Sequence, residues 1–167
     1  ADYNRFIEGW ISHGASGAKA TKITTSDDST GGNFHLDVDF SANSYAQIMQ
    51  GKLMVFKPAV VGRLERLSFT DGKRMHPYVM DAKAYTETVK VKLPLGFAVD
   101  EMPEPTKIET AFGQYSAAYE VKGDTLVFAR SLKLNRSTVP ADKYDTVMKF
   151  FGNVRSAEQS PVVLVKK

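Results

Sequence analysis

Hydrophobic and polar residues alternate most regularly from Gly113 to Leu134, and this pattern predicts one long β-hairpin. A two-residue loop at Gly123-Asp124 would pair Lys122 with Thr125, and glycine suits the positive φ at the first position of a type II′ turn. The register predicts that every large apolar side chain lies on one face, with Arg130 in phase with them. The residues predicted on that inner face are Tyr115, Ala117, Tyr119, Val121, Leu126, Phe128, Leu132 and Leu134.

The rest of the chain predicts short strands with a helix near each end. Apolar residues at helical spacing predict one helix over residues 2–12, with Asp2 as its N-cap, and another that has Pro140 at its first position. The second clearest alternation places Phe34, Leu36, Val38 and Phe40 inward and His35, Asp37 and Asp39 outward. The strand candidates are residues 19–26, 34–40, 45–49, 52–56, 85–93, 97–102 and 162–165, besides the two arms of the hairpin.

Short strands at regular spacing, without an alternating strand–helix repeat, favour antiparallel sheets over a parallel α/β sheet. The predicted fold is therefore all-β with two short helices, an antiparallel two-sheet β-sandwich that is jelly-roll-like. We expect one domain over residues 1–167. The long irregular segment 59–82 is expected to send Val60, Val61, Leu64, Leu67 and Phe69 into the core and to form a surface turn at residues 70–73.

Composition narrows the class of protein only slightly. The chain has 22 basic and 19 acidic residues, and these basic residues are scattered, which does not favour nucleic-acid binding. It has no cysteine, so a cysteine nucleophile is excluded from this chain. No apolar run is long enough to predict membrane insertion. The start at Ala1 without a Met favours a processed or excised fragment of a larger chain.

Three groups of charged residues could carry chemistry. His35, Asp37 and Asp39 share one face of a strand and could bind a divalent metal, although a solvated strand face is the stronger reading. Glutamates at 101, 104 and 109 could act as an acid–base pair, but they more simply protect a proline-containing edge from pairing with another chain. No catalytic residue and no cofactor is therefore expected.

Arg130 is the one local inconsistency in the hairpin. A charge on an inner face must be paired, reach an edge or bind an anion. Pairing with Glu120 or another nearby carboxylate is the favoured structural explanation, and an anion site is the alternative. Arg74 and His76 form a weak binding-edge signal in the long loop, and Trp10 is either a core anchor or a stacking platform.

A series of short motifs from Tyr45 onward resembles the C-terminal module of bacterial transglutaminase-like proteins. They are LPLGF from Leu93, an MPEP turn, FGQY from Phe112, YEVKGDTL in the hairpin, LKLNR at its end and VPADKY before the last helix. Such proteins carry a papain-like core and a C-terminal β-sandwich. The resemblance implies a non-catalytic accessory domain whose partner is the transglutaminase-like core of the same parent chain, in the periplasm or at the cell surface.

Two other function classes stay open. The first is a glycan- or peptide-binding module that uses exposed aromatic residues such as Tyr45, Tyr78 and Tyr85, with Trp10, Arg74, His76 and Arg130 as further binding candidates. The second is a free-standing hydrolase, which would need a pocket at His35, Asp37 and Asp39. A concave face with exposed rings would favour the binding module, and a flat apolar patch would favour docking to a core.

Overall fold

The computed structural model describes residues 2–12, 14–63, 69 and 74–167, and these form two compact units. The first unit contains residues 1–47 and 60–63, and the second contains residues 48–59 and 64–167. The elements in chain order are α1 Asp2–Ser12, β1 Lys19–Asp28, β2 Asn33–Ser41, β3 Gln47–Met49, β4 Leu53–Phe56, β5 Tyr78–Met80, β6 Lys83–Lys92, β7 Phe97–Glu101, β8 Thr106–Glu109, β9 Gly113–Lys122, β10 Thr125–Leu134, β11 Ser137–Val139, α2 Tyr144–Gln159 and β12 Val162–Lys166.

The first unit is a two-stranded ribbon, β1–β2, with α1 packed on it. Ile7 and Ile11 lie four residues apart on one face of α1, and both are buried in a small cluster with Ala15 and Ala18. Gly14 follows the helix and lies against the backbone of Val60, in a space too small for a Cβ atom. A close approach of two chain segments therefore requires glycine at this position.

The second unit is built around the sheet β6-β10-β9-β8, in which all strand pairs are antiparallel. The β9–β10 hairpin has the predicted register, with Lys122 opposite Thr125 and Tyr119 opposite Phe128. Gly123 has a φ of 61°, as the first position of a type II′ turn requires. The predicted hairpin is therefore confirmed in its ends, loop and pairing.

Helix α2 covers the inner face of this sheet. Its apolar residues recur every three or four positions, so they form one stripe, and Val147, Phe150 and Val154 are almost completely buried in the same cluster as Tyr115 and Leu132. Phe150 also stacks edge-on against Phe112 with ring centroids 5.4 Å apart. The packed layer of helix on sheet forms the main core of the second unit.

Two further sheets complete the second unit. Strand β12 lies at the centre of the sheet β3-β4-β12-β7 and pairs with β4 and β7, which confirms that the last predicted strand belongs to a sheet. The short strands β5 and β11 pair with each other. The predicted class, an all-β sandwich-like fold with two helices and antiparallel sheets, is confirmed. Neither helix in the described ranges is both long and apolar enough to cross a bilayer.

Three expectations about single residues were wrong. Phe34 and Phe40 were expected in the core, but both are exposed, because the ribbon leaves the ends of β2 uncovered while Leu36 and Val38 near its centre are half-buried. Pro140 precedes a 3-10 turn at Ala141–Lys143, and α2 begins only at Tyr144. The proline therefore ends the preceding segment and does not open the α-helix itself.

Some predictions remain untested. The expected core positions Leu64 and Leu67, the expected turn at residues 70–73 and the Asp2 side chain lie outside the described part of the chain. Phe69 is described, and it packs against the core of the second unit as expected. Because the two compact units are described separately, the expectation of one domain over residues 1–167 stays a prediction.

Candidate functional site

The candidate site of the second unit is a buried cluster of charges centred on Arg130. Strand β10 directs every second side chain to the inner face, so Arg130 falls between the buried Phe128 and Leu132. Its side chain is 2% exposed. The guanidinium is held from two sides: Nε donates to Oε2 of Glu87 at 2.5 Å, and Nη1 lies 2.7 Å from Oε1 of Glu158.

Glu87 and Glu158 reach this position by different routes. Glu87 lies directly opposite Arg130 on β6, so the sheet register sets this ion pair. Glu158 lies in the last turn of α2, which crosses the same face of the sheet. Burial alone would lower the pKa of Arg130, but the carboxylates of Glu158 and Glu87 raise it above its ordinary value. The arginine is therefore always charged, and its donors are already engaged by two carboxylates.

Two tyrosines border the cluster. The Tyr85 hydroxyl donates to Oε1 of Glu158 at 2.8 Å, and the Arg130 guanidinium carbon lies 5.5 Å from the Tyr85 ring centroid. Burial is the main cause that raises the pKa of Tyr85 far above its usual range, and the nearby Glu158 carboxylate is the second. Burial and Glu158 raise the pKa of Tyr115 in the same way. The Tyr115 hydroxyl is buried without a hydrogen-bond partner among the described residues.

The arrangement of these groups fits a structural role better than catalysis. Tyr85 and Tyr115 stay neutral in any physiological solution, and both Glu87 and Glu158 are used by Arg130. A catalytic acid or base needs a proton that it can release or accept near neutral pH. The geometry therefore matches the structural pairing that the sequence favoured for Arg130, with different partners: Glu120 instead pairs with Lys122 at 2.9 Å.

A cleft of about 520 Å³ opens beside the buried cluster. Its lining includes Ala117, which is opposite Arg130 on the neighbouring strand, and Ala157, which precedes Glu158. Tyr119 also lines it, and two acidic residues contribute: Glu101 is the last residue of β7, and Glu104 lies in the connection between β7 and β8. The cleft thus combines small and aromatic side chains with two acidic ones.

Trp10 and Tyr45, both predicted as binding residues, lie in the first unit. Both are half-buried and pack against the cluster of Ile7 and Ile11. The guanidinium carbon of Arg63 lies 5.8 Å from the Trp10 ring centroid. Trp10 therefore has the surroundings of the core anchor that the sequence favoured.

The other binding candidates, Arg74, His76 and Tyr78, lie near one another in the second unit. The Arg74 guanidinium carbon is 5.4 Å from the ring centroid of Tyr78 and 4.7 Å from that of Tyr144. Its Nε donates to the carbonyl oxygen of His76 at 3.3 Å, while the His76 side chain is exposed. Burial, and then the neighbouring Tyr144, raises the pKa of Tyr78. The Arg74 guanidinium thus lies over the rings of Tyr78 and Tyr144.

Tyrosine exposure was predicted incorrectly. Tyr45, Tyr78 and Tyr85 were expected to present exposed rings, but all three are half-buried. Each ring packs on a hydrophobic cluster of its own unit, so part of each ring is covered by that packing. The weak metal candidates His35, Asp37 and Asp39 are exposed on β2, as predicted for a solvated strand face. Across the described residues, no group of three His, Cys, Asp or Glu side chains could hold a metal ion.

The sequence analysis missed both partners of Arg130. Glu87 carried a usable signal, because it is in phase with Tyr85 and Val89 on β6 and so had to share the inner face with them. Glu158 carried no such signal, because its position depends on the angle at which α2 crosses the sheet. Only the tertiary structure brings the two glutamates to one arginine.

Comparisons with known proteins found one similar solved structure and one matching protein family. A crystal structure of a "putative protease" from Parabacteroides distasonis ATCC 8503 is similar, with a TM-score of 0.57 and 13% identity over 70% of this chain. The match covers 24% of that longer protein. No curated protein matches the chain in sequence. The model of the family DUF3858, a "Domain of Unknown Function with solved-structure structure", matches residues 52–164, so this chain belongs to that family.

Proposed function

We propose that this chain is a non-catalytic accessory domain of a larger bacterial protein, where it docks beside a transglutaminase-like, papain-like core. The observation that carries the proposal is the fold similarity to about a quarter of a much longer protein described as a "putative protease". Motif resemblance gives the same context independently. Export to the periplasm or the cell surface is part of the proposal and rests on that resemblance alone.

The chemistry of the described residues supports an accessory role. Among the described residues of the second unit, Arg130 is the buried charged residue, and it is paired with Glu87 and Glu158. With no cysteine in the sequence, the nucleophile of a papain-like reaction must come from another segment of the parent protein. This chain would then pack against the core and hold it in position within the parent protein.

Exposed aromatic side chains in the first unit are candidate docking residues. Phe6 on α1 is 69% exposed, and Phe34 on β2 is 62% exposed. A single exposed phenylalanine is not unusual, but buried aromatic anchors carry much of the energy of protein interfaces. We therefore expect at least one of these two rings to be covered in the parent protein.

The test is titration of the chain with the separately produced transglutaminase-like core of its parent protein, followed by calorimetry. We expect association at micromolar or lower concentration, abolished by Phe6→Lys or by Phe34→Glu. Leu95→Lys is the matched control, because Leu95 is fully exposed in a turn and its replacement should leave binding unchanged. Absence of association, together with a core activity that does not depend on this chain, would refute the proposal.

A peptide-binding module is the second candidate function. The observation in its favour is the cleft beside Tyr119, which is large enough for several side chains and is bordered by a strand edge. The glycan alternative has less support, because the tyrosines expected to stack on a sugar are half-buried.

A further inference from the structure

Strand β9 is longer than the strand that pairs with its outer edge. Residues Gly113–Lys122 all belong to β9, and β10 pairs with the whole of it. Strand β8 pairs only with the segment from Gln114 to Ala117. From Ala118 to Lys122, the described residues therefore supply no strand on the outer side of β9.

The hairpin register determines which backbone groups of β9 point toward the edge that β8 leaves uncovered. Lys122 and Thr125 close the two-residue hairpin loop, and such a closing pair exchanges its hydrogen bonds across the hairpin. Because backbone direction alternates along a strand, the N–H and C=O groups of Tyr119 and Val121 point away from β10, toward the unpaired edge. An edge of this kind is a template for another extended chain.

The surroundings explain why β8 does not cover this edge. Pro103 and Pro105 precede β8, and proline cannot donate to a strand ladder. The connection that contains them instead forms a wall of the cleft next to Tyr119. Val121, which is in phase with the core-facing residues, is left 41% exposed beside the same edge. Edge, cleft and exposed apolar side chain thus adjoin one another.

The charge of the cleft selects among possible occupants. Among its lining residues the charged ones are Glu101 and Glu104, and both are exposed. Glu120 projects from the opposite face of β9 and is already paired with Lys122. An extended peptide that lies along β9 would direct alternate side chains toward the cleft, where lysine or arginine would meet the carboxylates of Glu101 and Glu104.

We propose that the Ala118–Lys122 edge of β9 binds an extended, lysine- or arginine-bearing peptide segment as an added antiparallel or parallel strand. Backbone hydrogen bonds to Tyr119 and Val121 hold the segment, and Glu101 and Glu104 select its basic side chains. This mode of recognition is β-strand addition. It does not depend on docking to a transglutaminase-like core, since it specifies a peptide partner from the second unit alone.

The first experiment tests the backbone contacts. The probe is a blocked octapeptide of alternating valine and lysine, titrated by calorimetry and by amide NMR. Val121→Pro removes an N–H that points to the free edge and leaves the β9–β10 hydrogen bonds in place, so we expect binding to weaken by at least about tenfold. Val121→Ala is the matched control, because it keeps the N–H, and it should bind within about threefold of the parent chain.

The second experiment tests the charge selection. Glu101→Gln combined with Glu104→Gln should weaken binding of the lysine peptide by about tenfold and remove its salt dependence. Glu120→Gln changes the same residue type on the opposite face and should have no effect. A valine–glutamate octapeptide should not bind the parent chain detectably.

Hydrogen exchange keeps the proposal testable if Val121→Pro does not fold. In the unsubstituted protein, the lysine peptide should slow exchange at the amides of Tyr119 and Val121 and leave Glu120, whose N–H faces β10, unchanged. Equal binding of the lysine and glutamate peptides, protection elsewhere on the sheet, or no binding at millimolar peptide would each overturn the proposal.

Discussion

Ala117 lies directly opposite Arg130 across the β9–β10 ladder, and both side chains are buried. On its other side, Arg130 lies opposite Glu87 of β6. Glu87, Arg130 and Ala117 are therefore neighbours on three adjacent strands and share the inner face of the sheet. The small methyl group leaves room above these three residues, and Glu158 of α2 reaches the guanidinium there. An alanine thus makes space for a helix-to-sheet ion pair.

Arg130→Met is expected to destabilise the second unit strongly. Methionine is an unbranched side chain that retains much of the packing of the arginine stem, but it leaves Glu87 and Glu158 without their cation. Breaking a buried ion pair by removing one partner costs about 3–5 kcal/mol. Urea unfolding at pH 7 measures the change. The exposed pair of Lys122 and Glu120 supplies the control, since Lys122→Met should cost at most about 1 kcal/mol.

Removing the two carboxylates as well should restore stability. In the triple variant with Arg130→Met, Glu87→Gln and Glu158→Gln, no unpaired charge is left, so we expect at least half of the loss to be recovered. A single Arg130→Met variant as stable as the parent chain would show that the network contributes nothing.

The free energy of unfolding should fall as pH rises above about 10, the ordinary tyrosine pKa. Tyr85 and Tyr115 have raised pKa values in the folded chain, so the unfolded chain loses their protons first and is favoured at alkaline pH. Their contribution is complete below pH 10 and is lost progressively toward the folded-state pKa. Urea titrations at several pH values from 8 to about 11 measure the slope.

Tyr115→Phe should make this alkaline slope shallower. At neutral pH the same change should be neutral or slightly stabilising, because the hydroxyl it removes is buried without a hydrogen-bond partner among the described residues. Tyr3→Phe, the same substitution at an exposed position on α1, is measured alongside as the control. An unchanged slope in Tyr115→Phe would contradict the expectation.

Alanine should have opposite effects at Gly123 and Gly152. Gly123 has a φ of 61°, where an alanine side chain is strained, so Gly123→Ala should cost about 1 kcal/mol or more. Gly152 lies within α2 with open space around its Cα, so Gly152→Ala should stabilise by about 0.5–1 kcal/mol. Thermal unfolding of both variants measures the difference. If the midpoint temperature shifted in the same direction in both variants, the result would contradict the type II′ loop.

Gly14→Ala should destabilise the first unit. The added Cβ would collide with the backbone of Val60, which cannot move as a flexible side chain can, so we expect a cost of about 2 kcal/mol or more. Gly9→Ala on α1 is the matched control, since nothing lies within 4 Å of the added atom. Hydrogen exchange of the Ile7 and Ile11 amides reports the stability of this unit separately from the second.

Local pattern was sufficient for the elements with strong alternation. The hairpin register follows from a period of two on both arms and a glycine whose φ the turn needs, and helix α1 follows from its apolar spacing. Pattern alone failed for Phe34 and Phe40, because alternation shows which side chains share a face but not whether another layer covers that face. Coverage depends on contacts with distant segments.

The candidate site shows the same limit. Arg130 could be singled out from its phase in β10, and its burial follows from that phase. The choice of Glu87 and Glu158 over Glu120 needed the neighbouring strand and the helix in place, since Glu120 alternates to the opposite face of β9. The cleft and the free edge of β9 are equally products of tertiary structure, because they depend on where β8 ends.

The central position of β12 in its sheet has a consequence for the order of folding. Phe56 of β4 pairs with Val162, and Val99 of β7 pairs with Leu164, so β3–β4 and β7 cannot join into one sheet until the residues of β12 have been made. Pairing between segments so distant along the chain carries a large loop-closure cost and is slow. During synthesis, β4 therefore has only β3 beside it and β7 has no partner strand in this sheet, and we expect the four-stranded sheet to close in a late folding step.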